Sequence, residues 1–327
     1  MAVAAAFFIC LGLGRFEVPV ISAAGILLKS VFHLALPDVT WTDQMQSVIM
    51  DVRLPRLFGA VLVGCALSLS GATYQGLFKN PLVSPDILGV SSGACVGASV
   101  MILLNRGSME TQLAALAMGL FTVVLTTLIP KLFKRHSNFM LVLAGIIVAG
   151  FMGSIQGIIK YVADPESQLA SIVYWTMGSL SSVKPNDIFL VLPGMLTAMV
   201  ILLLMRWKIN LLSLGENEAK LLGVDVRKVR GLAILCSTVL TACAVCLCGT
   251  IGWVGLIIPH LGRLLVGQDN RYLLPASAAL GAVFMVIVDT VARNLTGSEI
   301  PLSIITGLMG APLFLWLLAR QRTRINE

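Results

Sequence analysis

Charge is scarce in this sequence. Only 12% of its 327 residues are Asp, Glu, Lys or Arg, and 57% are hydrophobic. A soluble domain carries about 25% charged residues, so the deficit excludes an ordinary water-soluble globule. A phosphate loop is also missing. No GxxxxGK[ST] run occurs, and the nearest glycine cluster, GTIGWVG at 249–255, lacks the lysine and hydroxyl that hold phosphate and Mg²⁺. ATP chemistry is therefore excluded from this polypeptide. There is no HExxH pair, no nucleophile elbow and no paired carboxylate within an apolar run. The chain reads as a non-enzyme with no cofactor or metal of its own. The one acid well inside an apolar run is Asp289, a single turn from Arg293. That spacing reads as a local ion pair rather than as an ion-coupling site.

Seven cysteines are present: Cys10, Cys65, Cys95, Cys236, Cys243, Cys246 and Cys248, all in apolar segments. Within CAVCLC, positions 243 and 246 share a helical face, but no His or carboxylate lies near them in sequence. They read as small packing residues rather than as metal ligands.

Apolar runs long enough to cross a hydrocarbon core of about 30 Å recur along the chain. They fall at about 1–14, 57–78, 86–104, 112–130, 139–160, 187–205, 231–249, 252–266, 272–291 and 301–319. The spacing predicts an all-α membrane protein with about ten transmembrane helices, forming a single transmembrane unit over residues 1–327. MAVAAAFFICLGLG has no basic leader and no small-residue cleavage pattern, so it reads as a short first membrane helix. Threading the loops alternately puts roughly two thirds of the 23 Lys and Arg on one face, including Lys79, Lys131, Lys134, Arg135, Arg206, Arg227, Arg230, Arg263, Arg320, Arg322 and Arg324. The richer face is cytoplasmic by the positive-inside rule, which places both termini inside. The net charge of +7 follows from that bias, and no aromatic–basic patch suggests nucleic acid. Two external rim segments are expected, at about 15–56 and 161–186. The first has EVP and LPD breaks and one amphipathic piece near 21–34; the second should hold short helices.

Several local patterns stand out. Arg53 and Arg56 flank Leu54-Pro55 at a helix start, where proline costs no internal hydrogen bond. In KNPLVSPD (79–86), two prolines end one helix, and Asp86 is placed to cap the next. LGVSSGACVGAS, which follows, permits close helix approach. His260, in IIPHLGR, has no ligand partner in sequence and reads as structurally hydrogen-bonded. Arg263, a turn later, is placed for lipid phosphate or a partner. The most polar stretch is SLGENEAKLLGVDVRKVR (213–230). Ser213 and Glu216 form a capping-box pattern, Lys220 suits a last turn and Gly223 a C-terminal cap. The expectation is a cytoplasmic helix of two to three turns over about 213–223, with Asp225 capping the next membrane helix. A helix that short needs external contacts, and Ala219, Leu221 and Leu222 offer an apolar knob for them.

Three stretches carry a family resemblance. RLPRLFGAVLVGCALSLSGATYQGLFKNPLVSPDILGVSSGA (53–94), GTIGWVGLIIPHLGRLLVGQDNRYLLP (249–275) and EIPLSIITGLMGAPLFLWLL (299–318) each resemble a signature of the FecCD-type permeases. These are membrane subunits of ABC importers for iron-siderophores, haem and vitamin B12. Residues 213–230 resemble the family's cytoplasmic loop between helices six and seven. Trp253 stands where the family more often has Phe, and Ser303 where it usually has Gly.

The resemblance implies a ten-helix subunit of the vitamin B12 importer type in a bacterial inner membrane. It implies a second permease subunit, two cytoplasmic ATPase subunits that hold ATP and Mg²⁺, and an extracytoplasmic binding protein. It assigns ATPase coupling to Ser213, Glu216, Glu218, Ala219, Leu221, Leu222 and Gly223. Binding-protein docking falls to Arg53, Arg56 and Arg293, and the cytoplasmic gate to Asn80, Pro81 and Leu82. Among cargoes a ferric siderophore ranks first, then haem or a corrinoid, then an anion such as molybdate. The rival expectation is an autonomous secondary transporter or channel driven through Asp289.

Overall fold

A computed structural model describes residues 2–32, 41–133 and 138–325. Lys134, Arg135 and the LPD break at 36–38 lie outside the described residues, as do the side chains of Arg320, Arg322 and Arg324. Every regular element among the described residues is a helix. In chain order the α-helices are α1 (Ala2–Gly12), α2 (Val20–Phe32), α3 (Asp43–Ser47), α4 (Leu54–Phe78), α5 (Val90–Leu103), α6 (Ser108–Leu132), α7 (Asn138–Val162) and α8 (Gln168–Met177), with a π-helical segment at Val48–Arg53 joining α3 to α4 and a 3₁₀ turn at Pro85–Leu88 before α5. There follow α9 (Pro185–Leu204), α10 (Arg206–Leu214), α11 (Glu216–Leu221), α12 (Val226–Cys248), α13 (Val254–Val266), α14 (Asn270–Asn294) and α15 (Leu302–Ile325).

Each of the ten expected apolar blocks contains a helix, but they are not ten equal spans. Among the described residues, six helical runs are long and apolar enough to cross a membrane: Asp43–Phe78, α6, α7, α9, α12 and α14. The apolar helices α1, α5 and α13 are shorter than such a span, and the described apolar part of α15 is Leu302–Leu317. The amphipathic piece expected near 21–34 is α2, and the helix expected in 161–186 is α8.

Residue size decides which helices sit inside. The most apolar window of Asp43–Phe78 is 83% buried, against 28% for α7. α4 carries Gly, Ala and Ser on every face, which lets other backbones approach. A Cβ added at Gly64 would overlap the carbonyl of Gly281 on α14, and one at Gly281 would overlap Gly64 O and Ser68 Oγ. Two turns on, Gly71 meets Gly255 of α13 in the same way. Hydrogen bonds join α4 to α12: Ser70 Oγ lies 3.0 Å from Thr241 Oγ1, and Tyr74 Oη lies 3.2 Å from Thr238 Oγ1. α7 instead turns Ile146, Ile147 and Phe151 outward, as a lipid-facing helix does.

α4 and α14 run antiparallel, so one end of the bundle holds Arg56 with Asp289 and the other holds Gly76 beside Asn270. Between α12 and α13 the backbone leaves helical geometry at 249–253. Several of its groups find partners: Gly249 N donates to Val245 O at 2.8 Å, Gly252 O accepts from Val254 N at 2.9 Å, and the Thr250 hydroxyl donates to Thr176 O at 2.5 Å. Non-helical chain inside a membrane bundle survives when protein supplies such partners. The cysteines pack as expected. Cys246 Sγ lies 3.1 Å from Gln112 O and Cys248 Sγ 3.0 Å from Ala244 O.

Candidate functional site

At the Lys79 end, α4 stops because Lys79 takes a left-handed conformation (φ 52°) and prolines follow at 81 and 85. Gln75, in the last turn, is buried. Its Nε2 lies 3.2 Å from Val83 O, 3.3 Å from Leu256 O and 3.4 Å from Gly255 O. One carboxamide thus ties the 80–84 loop to the first turn of α13. Asp86 does not cap α5 as expected, because its carboxylate accepts the Ser91 hydroxyl and Gly89 takes the cap position.

A cavity of about 530 Å³ opens here, lined by Gln75, Lys79, Asn80, Pro81, Asn210, Ser213, Leu214, His260, Arg263 and Asn270. Asn80 and Pro81 of the expected gate therefore share a cleft with the start of the polar stretch. Leu82 is exposed and lies outside that lining. Two links close the cleft. Lys79 Nζ donates to Leu214 O at 2.8 Å, and Asn270 N donates to Asn210 Oδ1 at 2.8 Å. The His260 ring packs against Phe314, with centroids 5.9 Å apart.

The polar stretch departs from its expected form. Ser213 is not a cap: it belongs to α10, and its Oγ donates to Asn210 O at 2.6 Å. The chain breaks at Gly215, and α11 has six residues rather than two to three full turns. Glu216 pairs with Arg230 of α12 instead of completing a capping box, because the guanidinium is a stronger partner than a backbone N–H. The other end follows expectation. Gly223 is left-handed (φ 78°), and Val224 N donates to Ala219 O at 2.9 Å, a Schellman closure. Asp225 caps α12 through Lys228 N at 3.1 Å. That bond and the Lys228 side chain hold the exposed carboxyl below its usual range. Ala219 is fully buried, so it anchors α11 rather than meeting a partner. Leu221 and Leu222 are 88% and 60% exposed, while Glu218 also faces solvent. An exposed leucine pair on a segment held from beneath is a surface built for apolar contact.

At the opposite end the three expected docking arginines face inward. Arg53, Arg56 and Arg293 are 4%, 5% and 8% exposed. Arg53 Nη1 donates to Leu11 O at 2.8 Å and Gly12 O at 3.0 Å, and Arg293 Nη2 donates to Cys10 O at 2.6 Å. Arg56 binds Asp289 through Nε at 2.6 Å and also pairs with Glu299. The expected local pair of Asp289 with Arg293 exists only at 3.9 Å, so the main partner of Asp289 lies on another helix. These guanidinium groups are spent within the chain, and a buried cation is not a free handle for a partner's carboxylate. Arg15 adds to the cluster by donating to Arg293 O at 2.9 Å and Gly297 O at 2.7 Å.

Sequence reasoning missed Gln75, Asn210 and Asn270. The available signal was a carboxamide within a turn of each helix break near 79, 215 and 267. It gains meaning only once the breaks are known to meet.

The FecCD transport family model matches residues 2–320. The chain is 42% identical over 306 residues to the molybdate import system permease protein of Haemophilus influenzae, covering 94% of this chain and 89% of that one. It is 40% identical over 283 residues to a probable iron chelatin transport system permease protein of Helicobacter pylori, covering 86% and 85%. With the hemin transport system permease protein of Yersinia pestis it shares 38% over 311 residues, 92% of each. A solved metal-chelate type ABC transporter in an inward-facing conformation superposes with a TM-score of 0.86 at 39% identity, covering 98% of this chain and 96% of that one.

Proposed function

The chain belongs to the FecCD transport family, and from that premise we propose that it works as the membrane-spanning permease subunit of an ATP-driven metal-chelate importer. One observation carries this reading: the 80–84 loop and the 213–223 segment share a single cleft, linked by Lys79 and Leu214. A push on the exposed Leu221–Leu222 edge is thereby transmitted to the helix end that carries Asn80 and Pro81. Energy must come from another chain, because this one has no phosphate loop. The partners this reading requires are a second permease subunit, two ATPase subunits holding ATP and Mg²⁺, and an extracytoplasmic binding protein. In it the Lys79 end is cytoplasmic, since that face carries the surplus of Lys and Arg, and both termini lie inside a bacterial inner membrane.

The role of the opposite end follows from its burial. Arg53, Arg56 and Arg293 shape the outer surface on which the binding protein sits by fixing the α1–α4–α14 junction. The proposed cargo is a ferric chelate, with haem and a corrinoid behind it. The likeness to a molybdate permease makes that oxyanion the main competitor. The Asp289-driven rival loses its motive, because Asp289 is already neutralised by Arg56.

The test is reconstitution in liposomes with the cognate ATPase and binding protein. Uptake of the chelate should require all three components and ATP. Uptake by the permease alone along an ion gradient would overturn the reading. Competition with molybdate at the binding protein separates the two cargo classes.

A further inference from the structure

A second cavity, of about 770 Å³, lies between α6, α7 and α12 and is separate from the cleft. Its lining changes character along its length. Toward the middle of the bundle it is Leu120, Val123, Val124, Ile234, Leu235 and Val239; toward the Lys79 end it is Lys131, Lys220, Arg227 and Arg230, with Glu216. On α6 the passage from Leu120 to Lys131 covers about 16 Å, so the gradient runs along the helix axes. Glu216 is the one acid in this lining, and it is committed to Arg230. Lys131, Lys220 and Arg227 are exposed and remain to face an anion. Val124 and Leu235, deeper in the groove, are 53% and 57% exposed.

We propose that this groove is a binding site for one anionic phospholipid, its acyl chains along α6 and α12 and its phosphate among Lys131, Lys220 and Arg227. The direction of the gradient selects this occupant. A soluble anion has no use for an apolar floor three turns deep, and an uncharged hydrophobic guest gains nothing from the cationic mouth. A phospholipid matches both, and basic pockets at the cytoplasmic ends of membrane helices suit anionic headgroups. Glu216 and Lys220 belong to α11, so the headgroup lies against the proposed coupling segment. That consequence alone rests on the permease reading, and occupancy of the groove does not.

The experiment is native mass spectrometry of the full chain, purified in mild detergent and exchanged against equimolar phosphatidylglycerol and phosphatidylcholine. The wild type should retain one phosphatidylglycerol per chain in preference to phosphatidylcholine. In Lys131→Gln/Arg227→Gln that preference should fall about thirtyfold, at roughly fivefold per cation. Leu235→Trp, which fills the floor without changing charge, should also release the lipid. Lys208→Gln/Lys228→Gln, with the same charge change outside the groove, should keep it. Equal retention in all four proteins overturns the proposal, as does displacement of the lipid by free glycerol phosphate at equal concentration. Neither ATP nor cargo enters the assay, so its failure leaves the permease reading untouched.

Discussion

Arg56 and Asp289 stand 233 residues apart in sequence and meet at 2.6 Å inside the bundle, where α4 begins and α14 approaches its end. Glu299 completes the charge balance from the loop before α15, and Arg293 lies 3.9 Å from the second carboxylate oxygen. The pair ties two antiparallel helices at the end opposite the cleft. Removing one partner leaves a buried charge uncompensated, which costs about 3–5 kcal/mol, whereas removing both costs far less. Asp289→Ala should therefore lower the thermal midpoint of the detergent-purified chain strongly. Arg56→Met/Asp289→Met should recover much of that loss. If the double variant is as unstable as the sum of the singles, the two residues are not coupled and the pair is incidental.

The crossing of α4 and α14 depends on the absence of side chains at Gly64 and Gly281, where a Cβ would strike backbone that cannot move aside. Gly281→Val should separate the helices and cost several kcal/mol, visible as loss of the monodisperse peak on size-exclusion chromatography. Gly157→Ala on α7 is the internal control, since nothing lies within 4 Å of that added carbon. It should be neutral or slightly stabilising, by up to about 1 kcal/mol from helix propensity alone. A well-behaved Gly281→Val protein would contradict the close crossing.

These cases show what the sequence could disclose. The helical blocks were legible because long apolar runs are a one-dimensional signal, and the caps at Gly223 and Asp225 were legible because capping is local. The inner-facing arginines were not. Arg53 and Arg56 beside a proline at a helix start look the same whether they face a partner or the bundle, and their partners on α1, α14 and the 295–301 loop lie far off in sequence. Ser213 and Glu216 failed as a capping box for the same reason. Ser213 turns back to the Asn210 carbonyl inside α10, and Glu216 finds the guanidinium of Arg230 on another helix, a stronger partner than a backbone N–H. Gln75 and Asn270 became meaningful only when the helix breaks they serve were seen to share one cleft.

The exposed leucine edge of α11 should govern coupling without governing assembly. Leu221→Asp/Leu222→Asp removes apolar surface that the chain itself does not bury, so folding and membrane insertion should be unchanged. ATP-dependent uptake in proteoliposomes should fall at least about tenfold, the loss expected from two apolar anchors at an interface. Ala219→Leu should behave differently, because Ala219 is buried and the larger side chain would lift α11 off the bundle. That variant should show faster amide exchange across 216–224 as well as lost transport. Normal uptake in the leucine double variant would mean that α11 is only a connector.

The bond from Lys79 to Leu214 O directly links the end of α4, where the gate loop begins, to the polar stretch. Lys79 is exposed, so the link is modest, about 1 kcal/mol at most. Its loss should act on motion more than on stability. In Lys79→Met, residues 210–216 should exchange amide hydrogens roughly fivefold faster, with the global unfolding midpoint unchanged. The same variant, assembled with its ATPase, should hydrolyse ATP normally and import less cargo per ATP consumed, since α11 could then move without carrying Asn80 and Pro81 along. Asn210→Ala breaks the second link, because it removes the Oδ1 that accepts the Asn270 backbone N–H of α14, and should add to the effect. If both variants leave the import-to-hydrolysis ratio at the wild-type value, the cleft does not transmit the stroke, and coupling must run through α12 and its Glu216–Arg230 contact instead.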